Sequence, residues 1–249
     1  MTNQQTLPEL SLQLKKLRLS GMLESLDDRS KEAIKNQMGY QEFLSLLVQD
    51  ELLVRDHRGY QRRYKQAGFR GEKTLENFDF NFNPKINQKL IRDLSTCHFL
   101  REKNPVVIMG PCGTGKTHLA HALGFCAIQK GYDVMCVTQS KLSDELQGAK
   151  ACGQYMKKLN ALSKIKLLII DDFGLKPLTL AEEEGLHDLI SERYEFASTL
   201  VTSNLALSEW HEAFSNKLLG SATIDRLRHN AYIVTLDGKS YRTSKKVKS

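Results

Sequence analysis

Apolar residues recur at helical spacing over the first quarter of the chain. The segment LSLQLKKLRLSGMLESL distributes leucines among charged residues, and YQEFLSLLVQDELLVRD repeats the pattern. Apolar positions separated by three and four residues are typical of amphipathic helices. We therefore predict a helical N-terminal domain over residues 1–68, serving partner or DNA binding and oligomer contacts. A linker rich in Gly, Asn and Phe follows over residues 69–84.

The pattern changes after residue 84. Short β-branched runs appear as VVIMG, YDVMCVT, KLLIID and TLVTSN, and helical stretches separate them. Strands that alternate with helices favour a parallel sheet covered by helices on both faces. We predict an α/β domain over residues 85–240 and a basic tail over 241–249.

Composition narrows the class of protein. Hydrophobic residues make up 41% of the 249 residues and charged residues 26%, as in ordinary globular proteins. No run of 18 apolar residues and no apolar N-terminal segment occurs, so we expect no membrane span and no secretory signal. Five cysteines without a C-x-x-C pair indicate free thiols in a reducing, cytoplasmic compartment.

The first of the predicted strands runs directly into a glycine-rich loop, GPCGTGKT, which opens a predicted helix. Glycines let the backbone bend into a nest of N–H groups, and the helix N-terminus adds partial positive charge. This context is typical of a phosphate-binding loop rather than of a chance glycine-rich turn. We expect Lys116 to reach the β- and γ-phosphates of ATP and Thr117 to bind Mg²⁺. The predicted nucleotide-binding residues are Gly110, Pro111, Cys112, Gly113, Thr114, Gly115, Lys116 and Thr117.

A second acidic element follows about fifty residues later in KLLIIDDFG. A buried strand would deliver Asp171 to the sheet edge that carries the loop, where its carboxylate would hold Mg²⁺. Asp172 is the candidate group for orienting and activating the attacking water. The alternative is a strand that ends in a solvated acidic turn.

Two further catalytic candidates lie later in the chain. Asn204 ends the predicted strand TLVTSN and would contact the γ-phosphate or the water. The alternative is a helix cap before LSEW, where Ser208 is the better cap candidate. Arg226 and Arg228 precede the last predicted strand. An arginine inserted at a neighbour's γ-phosphate can accelerate hydrolysis about 10³–10⁵-fold, and the alternative is a surface arginine.

Positive charge predicts a polyanionic partner. The formal net charge is +7, and the run from residue 55 to 70 holds six basic residues against one acid. On a helix four of the basic residues share a face, which suits a track of DNA phosphates, the alternative being a solvated helix face. The helix pair before the acidic strand supplies two more candidate lysines. The sequence has no helix-turn-helix motif and no zinc-binding signature, so we expect no base-specific contacts. The candidate DNA-binding residues are Arg55, Arg58, Arg62, Arg63, Lys65, Lys157 and Lys158.

The order of these motifs resembles AAA+ ATPases of the initiator and helicase-loader type, related to DnaA and DnaC. Over nearly the whole chain it is most similar to the IstB family of transposition helper ATPases, through IIDDFG, TSN and DRLRHNA. The resemblance implies an ATPase that uses ATP and Mg²⁺, assembles as a homo-oligomer on double-stranded DNA and assists a transposase. It implies no membrane partner.

The resemblance also assigns roles residue by residue. It makes Lys116 and Thr117 the Walker A residues, Asp171 the Walker B metal ligand, Asn204 sensor 1 and Arg226 an arginine finger acting in trans. Arg242 in SYR resembles a sensor 2 arginine.

Two departures from the family pattern change these expectations. Asp172 stands where many AAA+ proteins have Glu, so we expect slow hydrolysis. The chain leaves no room for a C-terminal helical lid domain, so Arg242 would act from the core domain.

Two other functions compete with a transposition helper. A helicase loader would grip a replicative helicase with its N-terminal domain and would prefer single-stranded DNA. A metabolic P-loop kinase would need a phosphate-acceptor pocket and an arginine-rich lid. The sequence shows no such lid, and DRLR after TSN argues against this class. The basic run at 55–70 favours direct contact with DNA over contact with a helicase.

Overall fold

The computed structural model describes residues 6–238, 240 and 241. They form two compact units, and the division falls inside a helix, between Arg62 and Arg63. Within the part of the chain that the structure describes, no helix has the length and apolar content needed to cross a membrane.

The N-terminal unit is helical, as the leucine pattern predicts. It contains α1 (Thr6–Lys16), α2 (Ser20–Lys35) and most of α3 (Tyr40–Gln66). Glu51 of α3 is buried, and its carboxylate accepts hydrogen bonds from the backbone N–H groups of Gly21, at 2.6 Å, and Met22, at 3.3 Å. Burial by itself would raise the pKa of Glu51, but the hydrogen bonds from Arg55, Gly21 and Met22 hold this pKa below its usual value. The carboxylate therefore stabilises the first turn of α2 in place of an N-cap side chain.

The C-terminal unit is a five-stranded sheet with helices around it. Its elements are α4 (Gln88–Ser95), α5 (His98–Glu102), β1 (Val106–Met109), α6 (Lys116–Gln129), β2 (Val134–Thr138), α7 (Gln139–Ala151), α8 (Tyr155–Ser163), β3 (Leu167–Phe173), α9 (Leu180–Arg193), β4 (Ser198–Ser203), a 3₁₀ helix (Leu207–Ala213), α10 (Lys217–Arg228) and β5 (Tyr232–Thr235). All neighbouring strands pair in parallel, in the order β2-β3-β4-β1-β5. The predicted parallel α/β sheet is confirmed.

Helices cover both faces of this sheet. On one face Ile169 packs against α6 at Gly124, where an added Cβ would lie 2.8 Å from the Ile169 Cδ1 atom. On the other face Ile170 and Val201 belong to a buried cluster with residues of α7 to α10, among them Leu142 and Leu189. Consecutive strand residues thus face opposite layers, which explains why these strands are apolar throughout rather than alternating.

The end of the helical domain differs from the predicted boundary at residue 68. The division observed after Arg62 arises because the last turn of α3 packs on the sheet unit: the Tyr64 ring contacts Phe69 and Phe125 with centroid separations of 6.1 Å. The segment predicted as a linker over 69–84 also belongs to the sheet unit and packs along α6.

Candidate functional site

The residues predicted to bind nucleotide meet at one edge of the sheet. Strands β1, β3 and β4 are parallel, so their carboxyl ends lie side by side, and the loop after β1 begins there. A cleft of about 770 Å³ opens at this edge and is lined by residues 112–117 together with Asp171, Asp172 and Asn204. We call it the nucleotide cleft below.

The glycine-rich loop depends on backbone conformations that side chains rarely adopt. Gly110 and Gly115 have φ values of 149° and 102°, and a Cβ on Gly110 would collide with the backbone of Leu236. A Cβ on Gly115 would lie 2.9 Å from the ring of Phe78. The two glycines therefore allow the chain to turn from β1 into α6 beneath two packed segments.

Lys116 lies at the centre of the loop. Its side chain is buried, and its Nζ atom donates to the carbonyl oxygens of Gly110 and Pro111 at 2.8 Å each. A buried ammonium needs oxygen partners, and phosphate oxygens offer the same chemistry with a full negative charge. The loop thus holds a buried cation at the start of α6, where the helix has free N–H groups, and Lys116 lines the cleft there.

Asp171 joins three elements of the cleft. Its Oδ1 atom accepts hydrogen bonds from the hydroxyl of Thr117 on α6, at 3.0 Å, and from the hydroxyl of Thr202 on β4, at 2.5 Å. Hydroxyl and carboxylate oxygens are the ligands that Mg²⁺ prefers, so Thr117 and Asp171 form a donor set that fits this ion. Among the described residues no group of three or more His, Cys, Asp or Glu side chains could hold a metal instead.

Asp172 lies in a bulge of β3. The pairing of β3 with β4 shifts register between Ile170 and Phe173, and Asp172 adopts a left-handed φ of 58°. Its backbone N–H donates to the Thr202 hydroxyl at 3.1 Å. A bulge re-aims a side chain relative to the regular pleat, and here both consecutive acids line the cleft.

Thr202 is the residue that sequence reasoning missed. It is fully buried in β4, and its hydroxyl donates to Asp171 while accepting from the Asp172 backbone. The signal in the sequence was a hydroxyl near the end of the buried strand β4, two residues before the predicted site residue Asn204.

Asn204 is half-buried and lines the cleft next to the acidic pair. The 3₁₀ helix that follows begins only at Leu207, and the Glu209 carboxylate accepts from the backbone N–H of Ala206 at 2.7 Å. Its N-cap position is Ala206, so neither Asn204 nor Ser208 occupies it.

Arg226 lies at the opposite edge of the sheet. Helix α10 ends just before β5 begins, so its last turn lies at the amino ends of the parallel strands. Arg226 donates to the Ala222 carbonyl at 2.9 Å and lines a separate cavity of about 440 Å³ with Tyr194 and His229. The chain's own nucleotide cleft therefore lacks this arginine, while Arg242 lies outside the described residues.

A buried carboxylate fixes the start of the helix that carries Arg226. Glu183 is fully buried and accepts from the Ser215 backbone at 2.5 Å, the Ser215 hydroxyl at 2.7 Å and the Asn216 backbone at 3.1 Å. Asn216 then caps α10 through its own side chain. Leaving a buried carboxylate unpaired is costly, so this contact holds α10 in one position.

The candidate DNA-binding residues differ in their partners. Four of them form ion pairs with acidic side chains. In the helical unit, Arg55 contacts Glu51 at 2.6 Å and Arg58 contacts Glu24 at 3.2 Å. In the sheet unit, Arg63 lies 3.7 Å from Asp133 and Lys158 lies 2.7 Å from Glu145. The others are Arg62, Lys65 and Lys157, which are exposed and form no ion pair with a described residue.

Comparison with known proteins gives consistent results. The sequence model of a family described as IstB-like ATP binding protein matches residues 12–249. An insertion sequence IS21 putative ATP-binding protein from Pseudomonas aeruginosa is 36% identical over 97% of this chain and 91% of its own length.

Two solved structures share the fold. The replication initiator DnaA bound to AMPPCP and single-stranded DNA superposes with a TM-score of 0.58 at 20% identity, over 69% of this chain. The superposition covers 52% of the length of the DnaA chain. The DnaC helicase loader superposes with a TM-score of 0.53 at 20% identity, over 70% of this chain and 98% of that one. At this identity the likeness concerns the fold alone.

The role of the Thr202 hydroxyl in holding Asp171 can be tested by replacing Thr202 with Val, which keeps the shape of the side chain. A hydrogen bond to a charged group contributes about 1.5–3 kcal/mol, so we expect the Mg²⁺ concentration for half-maximal ATP hydrolysis to rise about tenfold or more in Thr202→Val. Steady-state rates measured across a Mg²⁺ titration check this.

Thr202→Ser is the matched control and should stay within about twofold of the wild type, because it retains the hydroxyl. An unchanged Mg²⁺ requirement in Thr202→Val would contradict the role assigned to Thr202.

Proposed function

The chain belongs to the IstB-like ATP binding protein family, and we propose that it is an ATP-hydrolysing assembly factor of insertion-sequence transposition. In this proposal ATP-bound subunits oligomerise on double-stranded target DNA and assist a transposase there. The relatives that carry insertion-sequence names support the biological setting.

The observation that carries the proposal is the contact between the phosphate loop and the acidic strand. Thr117 at the start of α6 and Asp171 at the end of β3 lie 3.0 Å apart, oxygen to oxygen, beside the buried Lys116. A cation for phosphates and an oxygen pair for a divalent metal therefore stand together at one helix N-terminus, which is the arrangement that a magnesium–nucleoside triphosphate complex requires.

The chain's residues divide the proposed hydrolysis among them. Lys116 and the loop N–H groups bind the β- and γ-phosphates, and Thr117 and Asp171 would hold Mg²⁺. When bound, the ion supplies charge neutralisation on the phosphate oxygens. Asp172 orients the attacking water and takes its proton as the new bond to the γ-phosphorus forms, and the bond to the ADP oxygen breaks. Asn204 lies beside it as a donor to the water or the γ-phosphate.

In this proposal Arg226 makes ATP hydrolysis depend on assembly. It lies at the sheet edge away from its own nucleotide cleft, and the buried Glu183 fixes the helix that presents it. In the proposal Arg226 reaches the γ-phosphate held by a neighbouring subunit and stabilises the charge of the transition state in trans. An isolated subunit would then bind ATP but hydrolyse it slowly.

The proposed contacts with DNA are electrostatic. The net charge of +7 favours a polyanion, and Arg62, Lys65 and Lys157 are exposed without an ion-pair partner among the described residues. Cations of this kind contact phosphates and give affinity without reading sequence. The alternative function is that of a helicase loader, which would need a helicase and single-stranded DNA.

ATP-dependent assembly on duplex DNA is the test of this function. We expect sizing in the presence of Mg²⁺ to show large complexes on a linear duplex with ATP and none with ADP. Lys116→Ala should abolish them, because the loop loses its buried cation. Assembly on a single strand in preference to the duplex, or assembly independent of nucleotide, would contradict the proposal and favour the loader.

The DNA surface can be tested with two adjacent lysines of α8. Lys157 is exposed without an ion-pair partner among the described residues, whereas Lys158 is held 2.7 Å from Glu145. Removing a phosphate contact lowers the slope of log affinity against log salt by about one. We expect Lys157→Ala to weaken duplex binding with this change in slope, and Lys158→Ala to have a smaller effect. No effect of Lys157→Ala would move the DNA contact elsewhere, and equal effects of both substitutions would contradict the distinction drawn from the Lys158–Glu145 ion pair.

A further inference from the structure

The segment 67–84, which we call the strap, lies along the phosphate-loop helix and is anchored at several points. At its start the Ala67 carbonyl accepts from the Cys136 backbone of β2 at 2.8 Å, and the Phe69 ring stacks on His121 of α6 at 5.0 Å. Further on, the Thr74 carbonyl lies 2.9 Å from Nε2 of His118, one turn earlier on α6. The strap therefore runs from β2 toward the N-terminus of α6.

Two cations lie between these anchors. Arg70 and Lys73 fall in the short span between Phe69 and Thr74, and both line the nucleotide cleft. Neither forms a hydrogen bond or an ion pair with any residue that the structure describes. Because Phe69 contacts His121 and Thr74 contacts His118, the span that carries the cations runs beside the first two turns of α6, at whose N-terminus the phosphates of a nucleotide would be bound.

The charges on the strap act on the groups beneath it. His121 is buried, and burial together with the positive charge of Lys73 lowers the pKa of its imidazole to about 4, with Arg70 adding to the effect. Asp171 acts on the same imidazole in the opposite direction. The two cations and the candidate metal ligand therefore share one electrostatic environment at the β2 side of the cleft.

We propose that Arg70 and Lys73 bind the terminal phosphate of a nucleoside triphosphate in the chain's own cleft, so that the strap distinguishes ATP from ADP. This inference rests on the proposed function. The loop N–H groups hold phosphates that both nucleotides share, whereas Arg70 and Lys73 line the same cleft as Thr117 and Asp171 and, together with Lys116, respond to the additional charge of the γ-phosphate. Because they belong to the same chain as the loop, they act before any neighbour contributes Arg226.

The test compares the affinity of the protein for a β,γ-methylene analogue of ATP with its affinity for ADP. Both affinities are measured by calorimetry with Mg²⁺ and without DNA, at concentrations where the protein is monomeric. Charge-assisted hydrogen bonds are worth enough for about a tenfold change in affinity. We expect Arg70→Ala/Lys73→Ala to lose about tenfold or more in affinity for the analogue and less than twofold for ADP. The charge-retaining pair Arg70→Lys/Lys73→Arg should keep most of the wild-type ratio.

The matched control removes one lysine charge and one arginine charge from α4, which lies outside the cleft. Lys89 and Arg92 are exposed, and Lys89→Ala/Arg92→Ala should leave both affinities unchanged. Equal losses for analogue and ADP in the strap variant, or no loss, would overturn the proposal. Weakened duplex binding without nucleotide, at an unchanged ratio of the two affinities, would also overturn it and assign the cations to DNA.

The outcome is distinguishable from failure of the proposed function. A wild-type protein that prefers the analogue through Arg70 and Lys73 but does not assemble on DNA supports the strap and contradicts the assembly factor. A protein that assembles with ATP while the strap variant keeps the wild-type ratio supports the assembly factor and contradicts the strap.

Discussion

The parallel direction of the five strands is the constraint on which the rest of the molecule depends. It brings the ends of β1, β3 and β4 to one edge and creates a cleft where the phosphate loop meets Asp171. The same direction brings the end of α10, with Arg226, to the other edge. A single subunit therefore holds the cleft and Arg226 at opposite ends of its strands, and the proposed oligomer would bring the two together across a subunit contact.

Hydrogen bonds between buried polar groups fix the positions of the elements that carry the site residues. Asp171 is held by two hydroxyls from different elements, and Glu183 is held by the start of α10. Arg193, also fully buried, donates to the carbonyls of Leu162, Ile165 and Ser198. A buried polar group without its partners costs more than the bond contributes, so each contact favours one arrangement over its neighbours. The apolar layers supply the stability, and these contacts determine where the site residues lie.

Much of the site was predictable because its chemistry is local in sequence. The phosphate loop needs a strand, a glycine-rich turn and a helix in immediate succession, and the acids follow a buried strand directly. The contribution of Thr202 was not predictable, because a threonine in a β-strand is ordinary until the fold brings it to Asp171. The left-handed bulge at Asp172 and the position of the strap also depend on pairing between distant segments. The end of the helical unit was missed for the same reason, since Tyr64 packs on aromatic residues beyond α3.

The central claim is that two subunits complete one hydrolytic site, and mixing two inactive variants tests it most directly. Asp172→Asn lacks the group that activates the water but keeps nucleotide binding, assembly and Arg226, whereas Arg226→Ala keeps the cleft but lacks the arginine. Each variant alone should show little ATP hydrolysis on duplex DNA. Their mixture should regain a substantial fraction of the wild-type rate, because an intact Arg226 then meets an intact cleft across the interface. A mixture no more active than its two components, or an Arg226→Ala protein as active as the wild type, would contradict the account.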